Sequence, residues 1–163
     1  MPGVLSPPVA AVQEALVRHG WAGELRIFET PVPTAAIAAE TLGCAVAAIA
    51  NSLVFETAGE PLLVLASGAR RVDTKGLAAR LGTPRIARAT PEFVLAATGQ
   101  EIGGVAPVGH PRPLRTVVDV TLAEHDVVWA GAGDDYAMFS TSFDELVALT
   151  GGTPEVVSAP PAG

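Results

Sequence analysis

Two stretches of this chain carry residue types that could do chemistry. The first is residues 103–111, Gly-Gly-Val-Ala-Pro-Val-Gly-His-Pro. Gly103, Gly104 and Gly109 permit positive φ and the close approach of a ligand, while Pro107 and Pro111 stiffen the path between them. A stiff loop bare of bulky side chains can turn backbone N–H groups toward an anion or toward a carbonyl oxygen under attack. His110 sits at its end, where an imidazole could donate to a substrate, position a water, or simply hold the loop. The same residues also suit a tight connection between two strands. The second stretch is Asn51-Ser52, two polar side chains inside the apolar run Ile49, Ala50, Leu53, Val54, Phe55. A buried amide costs free energy unless it is bonded, so Asn51 calls for a backbone partner or a ligand. Strand alternation turns Asn51 and Ser52 to opposite faces, so only one of them is expected to point into a given pocket.

Several other chemistries can be set aside. No Gly-Lys-Ser/Thr follows any glycine, which removes the phosphate-binding Walker loop. Gly131-Ala132-Gly133 begins like a dinucleotide fingerprint, but Tyr136 stands where its third glycine belongs. No Gly-x-Ser-x-Gly elbow occurs. His19, His110 and His125 have no metal-ligand spacing, so no metal is expected. Cys44 is the single cysteine, which excludes an internal disulfide and reads as packing. Asp134-Asp135 reads as a solvated turn between strands, although the pair could meet a cation.

The elements that must position these residues follow from periodicity and punctuation. Val9, Val12 and Leu16 recur at helical spacing over residues 8–19, before Gly20. A strand over 24–29 and a helix from Thr34 to Gly43 come next. A hairpin is expected over 49–57 and 61–66, turning through Ala58-Gly59-Glu60. Asp73 caps a helix ending at Gly82, and Thr90-Pro91 opens another that stops at Gly99. A short strand over 85–88 lies between them. After the glycine loop come a strand over 114–118, a short helix following Asp119, and strands over 127–130 and 136–140. Ser142 and Glu145 form a capping box for a last helix ending at Gly151, with an edge strand over 155–158. Hairpins mixed with helices predict an α/β chain of the α+β type, a mixed and largely antiparallel sheet flanked by helices. Residues 1–163 read as one domain with a core over about 8–157 and flexible ends at 1–7 and 158–163.

Composition limits the partners. The mean hydropathy is +0.40, but the longest uncharged stretch, residues 41–55, falls short of the roughly 20 apolar residues of a membrane span. The start of the chain lacks a basic secretory signal, and a cytoplasmic protein without membrane contact is expected. A net charge of −7 argues against non-specific coating of nucleic acid. Six of the ten basic residues nevertheless fall within residues 70–88, with Asp73 as the one acid among them. Arg70, Arg71 and Lys75 lead this cluster, which could meet phosphates or merely solvate a helix flank.

Taken in order, Ala38-Ala39-Glu40-Thr41-Leu42-Gly43-Cys44, residues 49–55, residues 62–68, Arg71-Val72-Asp73, Thr98-Gly99, the glycine loop and Asp119 resemble the YbaK/prolyl-tRNA-synthetase-associated editing domains, also called the ProX or EbsC-like group. The resemblance covers roughly residues 25–150. It implies a curled, barrel-like mixed sheet and a trans-editing deacylase, which hydrolyses the ester of an amino acid wrongly attached to tRNA. It implies no metal or organic cofactor, with the acceptor end of an aminoacyl-tRNA, and an aminoacyl-tRNA synthetase, as partners. In that family the loop matching Gly103 to Pro107 lines the aminoacyl pocket, and the terminal hydroxyl of the tRNA assists the attacking water.

Joined to the reading of the residues, the resemblance gives four catalytic candidates: Gly103 and Gly104 to polarise the carbonyl, Asn51 to orient substrate, and His110 to donate to substrate or position water. Thr30, Ser52, Pro107 and Gly109 are candidates for contact with substrate, and Arg70, Arg71 and Lys75 for contact with tRNA. The family usually has lysine where this chain has Asn51, and an amide can only hydrogen-bond where an ammonium would neutralise charge. The alternative is a non-catalytic module that keeps the pocket for an aminoacyl or nucleotide ligand or for a synthetase.

Overall fold

A computed structural model describes residues 5–159. Five helices form where the sequence supplies both ends. They are α1 (Pro7–Arg18), α2 (Ala35–Leu42), α3 (Thr74–Leu81), α4 (Pro91–Thr98) and α5 (Phe143–Thr150). Thr34, Asp73, Thr90 and Ser142 each accept a hydrogen bond from the backbone N–H three residues on, which meets one of the orphan donors of a helix start. Gly43, Gly82, Gly99 and Gly151 end these four helices in the left-handed conformation. The capping box at α5 is only half made, because the Glu145 carboxylate accepts from Thr141 Oγ1 at 2.7 Å. Ser6 precedes α1 but does not cap it; its hydroxyl donates to Asp134 at 2.8 Å. Of the flexible ends expected from sequence, residues 1–4 and 160–163 lie outside the described residues, while Ser158 bridges to Val72.

Eight strands form one mixed sheet: β1 (Leu25–Ile27), β2 (Ile49–Thr57), β3 (Glu60–Ser67), β4 (Ala87–Arg88), β5 (Arg115–Asp119), β6 (Val128–Gly131), β7 (Ala137–Thr141) and β8 (Thr153–Glu155). Their order is β1-β7-β6-β2-β3-β5-β8, with β4 also on β2. Four pairings are antiparallel and three parallel, the mixed and largely antiparallel arrangement expected. The sheet stays open, ending at β1 and β8 rather than closing into a barrel. The last strand lies at 153–155, not 155–158. The rim position of β8 lets it carry Pro154, which has no N–H to give.

β3 is the structural spine. Leu63 and Leu65 face one apolar cluster with α1, α5 and the glycine loop, while Leu62, Val64 and Ala66 face a second with Leu77 of α3 and Ile86. All of Leu62, Leu63, Val64 and Leu65 are fully enclosed. Truncating such a leucine to alanine typically costs about 2–5 kcal/mol. Its hairpin partner β2 is different: residues 51–56 are only half-buried. The reason is topological. β6 pairs with β2 at Ile49 and Ala50, and β4 pairs with the same edge at Phe55 and Glu56. Between those two contacts the edge of β2 is open.

Candidate functional site: a cavity at the open edge of β2

The break in the sheet opens into a cavity of about 1450 Å³. Its walls are the open edge of β2, Gly103 and Val105 of the glycine loop, Gly131 at the end of β6, Asp134 beyond it, and Met138 of β7. Val94, Ala89 and Ala137 make the interior apolar. Asn51 and Ser52 both line it, although their side chains face opposite ways, because the cavity opens at a strand edge and not on one face. The Asn51 amide has no hydrogen-bond partner among the described residues. The Ser52 hydroxyl is buried and likewise unpartnered.

A residue that sequence reasoning missed holds the glycine loop in shape. Gln100 is 1% exposed. Its Oε1 accepts from Ala106 N–H at 2.7 Å and its Nε2 donates to the Val108 carbonyl at 3.2 Å. Thr98 Oγ1 donates to the Gln100 carbonyl and accepts from the Gln100 N–H, both at 2.9 Å. One buried amide thus spans the loop. His110 closes it from outside, its Nε2 2.7 Å from the Ala106 carbonyl. Burial pushes the His110 pKa below the usual imidazole value, outweighing that hydrogen bond. The ring is therefore neutral at pH 7, with Nε2–H as the donor.

These bonds decide which loop amides remain free. Gly104 N–H donates to the Glu101 carbonyl at 3.0 Å, and the Gly104 carbonyl accepts from Gly133 N–H at 3.0 Å. Gly104 must be glycine because a Cβ there would collide with the Asp134 backbone. Gly103, with φ of 98°, is exposed at the cavity wall, and its N–H meets no acceptor among the described residues. Asp134, read from sequence as a solvated turn, is half-buried and part of the wall. Its carboxylate is held by Ser6 Oγ and by the Tyr136 N–H, each at 2.8 Å.

The structure brings Asn51, Ser52, Gly103, Arg70, Arg71 and Lys75 to this one cavity. Gly104, Pro107, Gly109 and His110 stand behind the wall within the loop, and Thr30 is exposed away from the cavity. Arg85 and Arg88 join the lining, giving five exposed cations. None of them forms an ion pair among the described residues, where the two salt bridges are Arg18–Glu14 and Arg26–Glu24. In a chain of net charge −7, five unpaired cations at one opening make a local field that attracts anions. No helix among the described residues is long and apolar enough to cross a membrane.

Fold and site together define an α/β chain with an open mixed sheet, and at a strand edge of that sheet a cavity that combines apolar lining with cations. Comparison with known proteins gives this class a family. The chain belongs to the aminoacyl-tRNA editing domain family, whose sequence profile matches residues 29–149. It is 36% identical over 120 residues to the uncharacterized protein YwhH of Bacillus subtilis (strain 168), covering 73% of this chain and 76% of that one. It is 35% identical over 106 residues to the proline–tRNA ligase of Nitratidesulfovibrio vulgaris (strain DP4), spanning 63% of this chain but 18% of the ligase. Among solved structures, a candidate trans-editing enzyme for prolyl tRNA synthetase superposes with a TM-score of 0.89 at 37% identity, over 96% of this chain and 100% of that one. The hypothetical protein APE2540 gives 0.83 at 32% identity, over 91% and 99%.

Proposed function

We propose that this chain acts in trans as an aminoacyl-tRNA deacylase, hydrolysing the ester that joins an incorrect amino acid to tRNA. The observation that supports the reading is the union, in one cavity, of an apolar interior with five exposed cations that form no ion pair among the described residues. The amino-acid side chain enters the interior, and the phosphates of the acceptor end lie against Arg70, Arg71, Lys75, Arg85 and Arg88. The Gly103 N–H, without an acceptor among the described residues, donates to the carbonyl oxygen in place of the Gly104 N–H, which is already used within the loop. Asn51 orients the substrate through its amide. A water oxygen bonds to the carbonyl carbon, the bond from that carbon to the ribose oxygen breaks, and the water's proton ends on the ribose oxygen. The neighbouring ribose hydroxyl positions the water. His110 and Gln100 act at one remove, by keeping the loop in register.

A second reading, a binding module without turnover, is favoured by one specific feature: Asn51 places an amide on β2 where the family usually has an ammonium group. A deacylation panel of mischarged and correctly charged tRNAs separates the two. The hydrolase reading requires at least one mischarged tRNA to lose its amino acid much faster than in buffer. Binding without release, with release gained by Asn51→Lys, would establish the module instead. Reversing Arg70, Arg71 and Lys75 to Glu should weaken binding at low salt and flatten its salt dependence by about 0.7 log units per lost phosphate contact. Unchanged binding would remove the phosphate role of that cluster.

A further inference from the structure

We propose that the open edge of β2 reads the terminal base of the tRNA through the backbone of Ser52 and Val54; the identity of the ligand as a tRNA end rests on the hydrolase reading above. The hydrogen bond from Gly68 N–H to the Ile49 carbonyl, 2.8 Å, fixes the alternation along β2. Residues 51, 53 and 55 exchange backbone hydrogen bonds with β3, and residues 50, 52 and 54 turn theirs to the opposite edge. On that edge β6 pairs as far as Ala50 and β4 takes over at Phe55. Gly133, which follows β6, gives its N–H to Gly104 and so does not continue the ladder. The Ser52 N–H and C=O and the Val54 N–H are left facing the cavity with no strand partner among the described residues. Both residues are half-buried, while Leu63 and Leu65 opposite them on β3 are fully enclosed.

Unpaired main-chain groups in a cavity wall are met by water or by a ligand. Four residues of strand span about 13 Å. That is room for a heterocycle, and it is short of the roughly five- or six-residue strand through which a peptide would pair. The order of groups is also selective. The Ser52 carbonyl, an acceptor, is followed two residues on by the Val54 N–H, a donor on the same edge. Adenine offers the complement, its N6 amine as donor beside N1 as acceptor. Guanine puts the acceptor O6 where adenine has its amine. Every tRNA ends in adenosine, and Arg85 and Arg88 flank the β4 end of the gap, within the same cavity, for the adjoining phosphate.

The test uses uncharged RNA minihelices ending in CCA, titrated into the 15N-labelled chain. Their terminal adenosine is left intact or replaced by purine riboside, which lacks the amine, or by 1-deazaadenosine, which lacks N1. The intact minihelix should move the Ser52 and Val54 amide resonances, and each analogue should bind about 3- to 10-fold more weakly, the usual effect of one neutral hydrogen bond. Equal affinity for all three, no binding of the intact minihelix, or binding that leaves both amides unmoved would overturn the assignment. Deacylation of charged minihelices is measured in parallel. A chain that shows the binding pattern without hydrolysis keeps the β2 assignment and loses the hydrolase reading. Hydrolysis indifferent to the terminal base does the reverse.

Discussion

Gln100 offers a sharp test of how the glycine loop is held. Replacing it with methionine keeps the volume and the unbranched shape, so the cavity left behind is small. What changes is hydrogen bonding. The Ala106 N–H, on a residue that is 0% exposed, and the Val108 carbonyl, on one 7% exposed, lose their partners together. A buried group left unmet costs about 1–3 kcal/mol, so Gln100→Met should destabilise the fold by about 2–5 kcal/mol. For a chain of this size that lowers the melting temperature by roughly 4–20 °C. Gln100→Glu supplies the control. Its carboxylate still accepts from Ala106 N–H but sets a second oxygen against the Val108 carbonyl. Protonation restores a donor, so the native state raises the pKa of that Glu above its unfolded value. The contact is then present below the unfolded carboxyl pKa and is lost as pH rises through the folded one. The Gln100→Glu deficit should therefore shrink between pH 7.5 and pH 4.5, read by urea denaturation followed by circular dichroism. A Gln100→Met loss under about 0.5 kcal/mol, or a Gln100→Glu deficit flat with pH, would refute the idea that this side chain holds the loop.

Two further outcomes follow from local geometry. Ala58 opens the β2–β3 turn at φ of 52°, with Gly59 at 80°, a pairing that an alanine tolerates poorly and an asparagine well. Ala58→Asn should raise stability by about 0.5–1 kcal/mol in chemical denaturation, and a loss would show that the turn relaxes without strain. His110 is neutral in the folded chain because burial lowers its pKa. The unfolded chain then binds more protons just below pH 6.5, so stability falls as pH drops through that value and levels off below the folded pKa. His110→Gln should remove this part of the slope of unfolding free energy against pH; an identical slope in the variant would contradict the buried, neutral ring.

The helix boundaries were legible because their signals are local. Thr34, Asp73, Thr90 and Ser142 bond to an N–H three residues away, and a glycine closes each of those helices. The loop and the Asn51-Ser52 pair were legible as unusual residues, and both do line or frame one cavity. What sequence could not supply is the parallel pairing of β2 with β6, whose residues lie some eighty positions apart. That pairing decides where the edge of β2 is left open, and so why Asn51 and Ser52 share a cavity despite opposite facings. Gln100 left no signal because a single polar residue after Thr98-Gly99 looks like part of a turn. Its burial is a tertiary fact, created when residues 105–108 fold back over it. Asp134-Asp135 was read correctly as a turn, but the packing of Gly104 against Asp134 is what makes it a wall of the site.

The same division of labour explains how a small sheet can afford an interrupted strand. β3 is buried on both faces and pairs along its length with β2 and over residues 62–65 with β5, so it anchors both apolar clusters without help from the open edge. Between its contacts with β6 and β4, β2 is held through its β3 side, which leaves the other edge of Ser52 and Val54 toward the cavity. Charge then gives this opening its direction. Counterions screen exposed charges beyond about 8–10 Å at physiological salt. A polyanion approaching elsewhere meets the net charge of −7, whereas one arriving end-on comes within reach of five cations that form no ion pair among the described residues. If the cavity takes an apolar acyl group and the edge of β2 takes a base, with the terminal phosphates against the cations, then the end of a chain fits better than its middle. On this argument affinity should depend on the terminal nucleotides and change little when the RNA stem is lengthened.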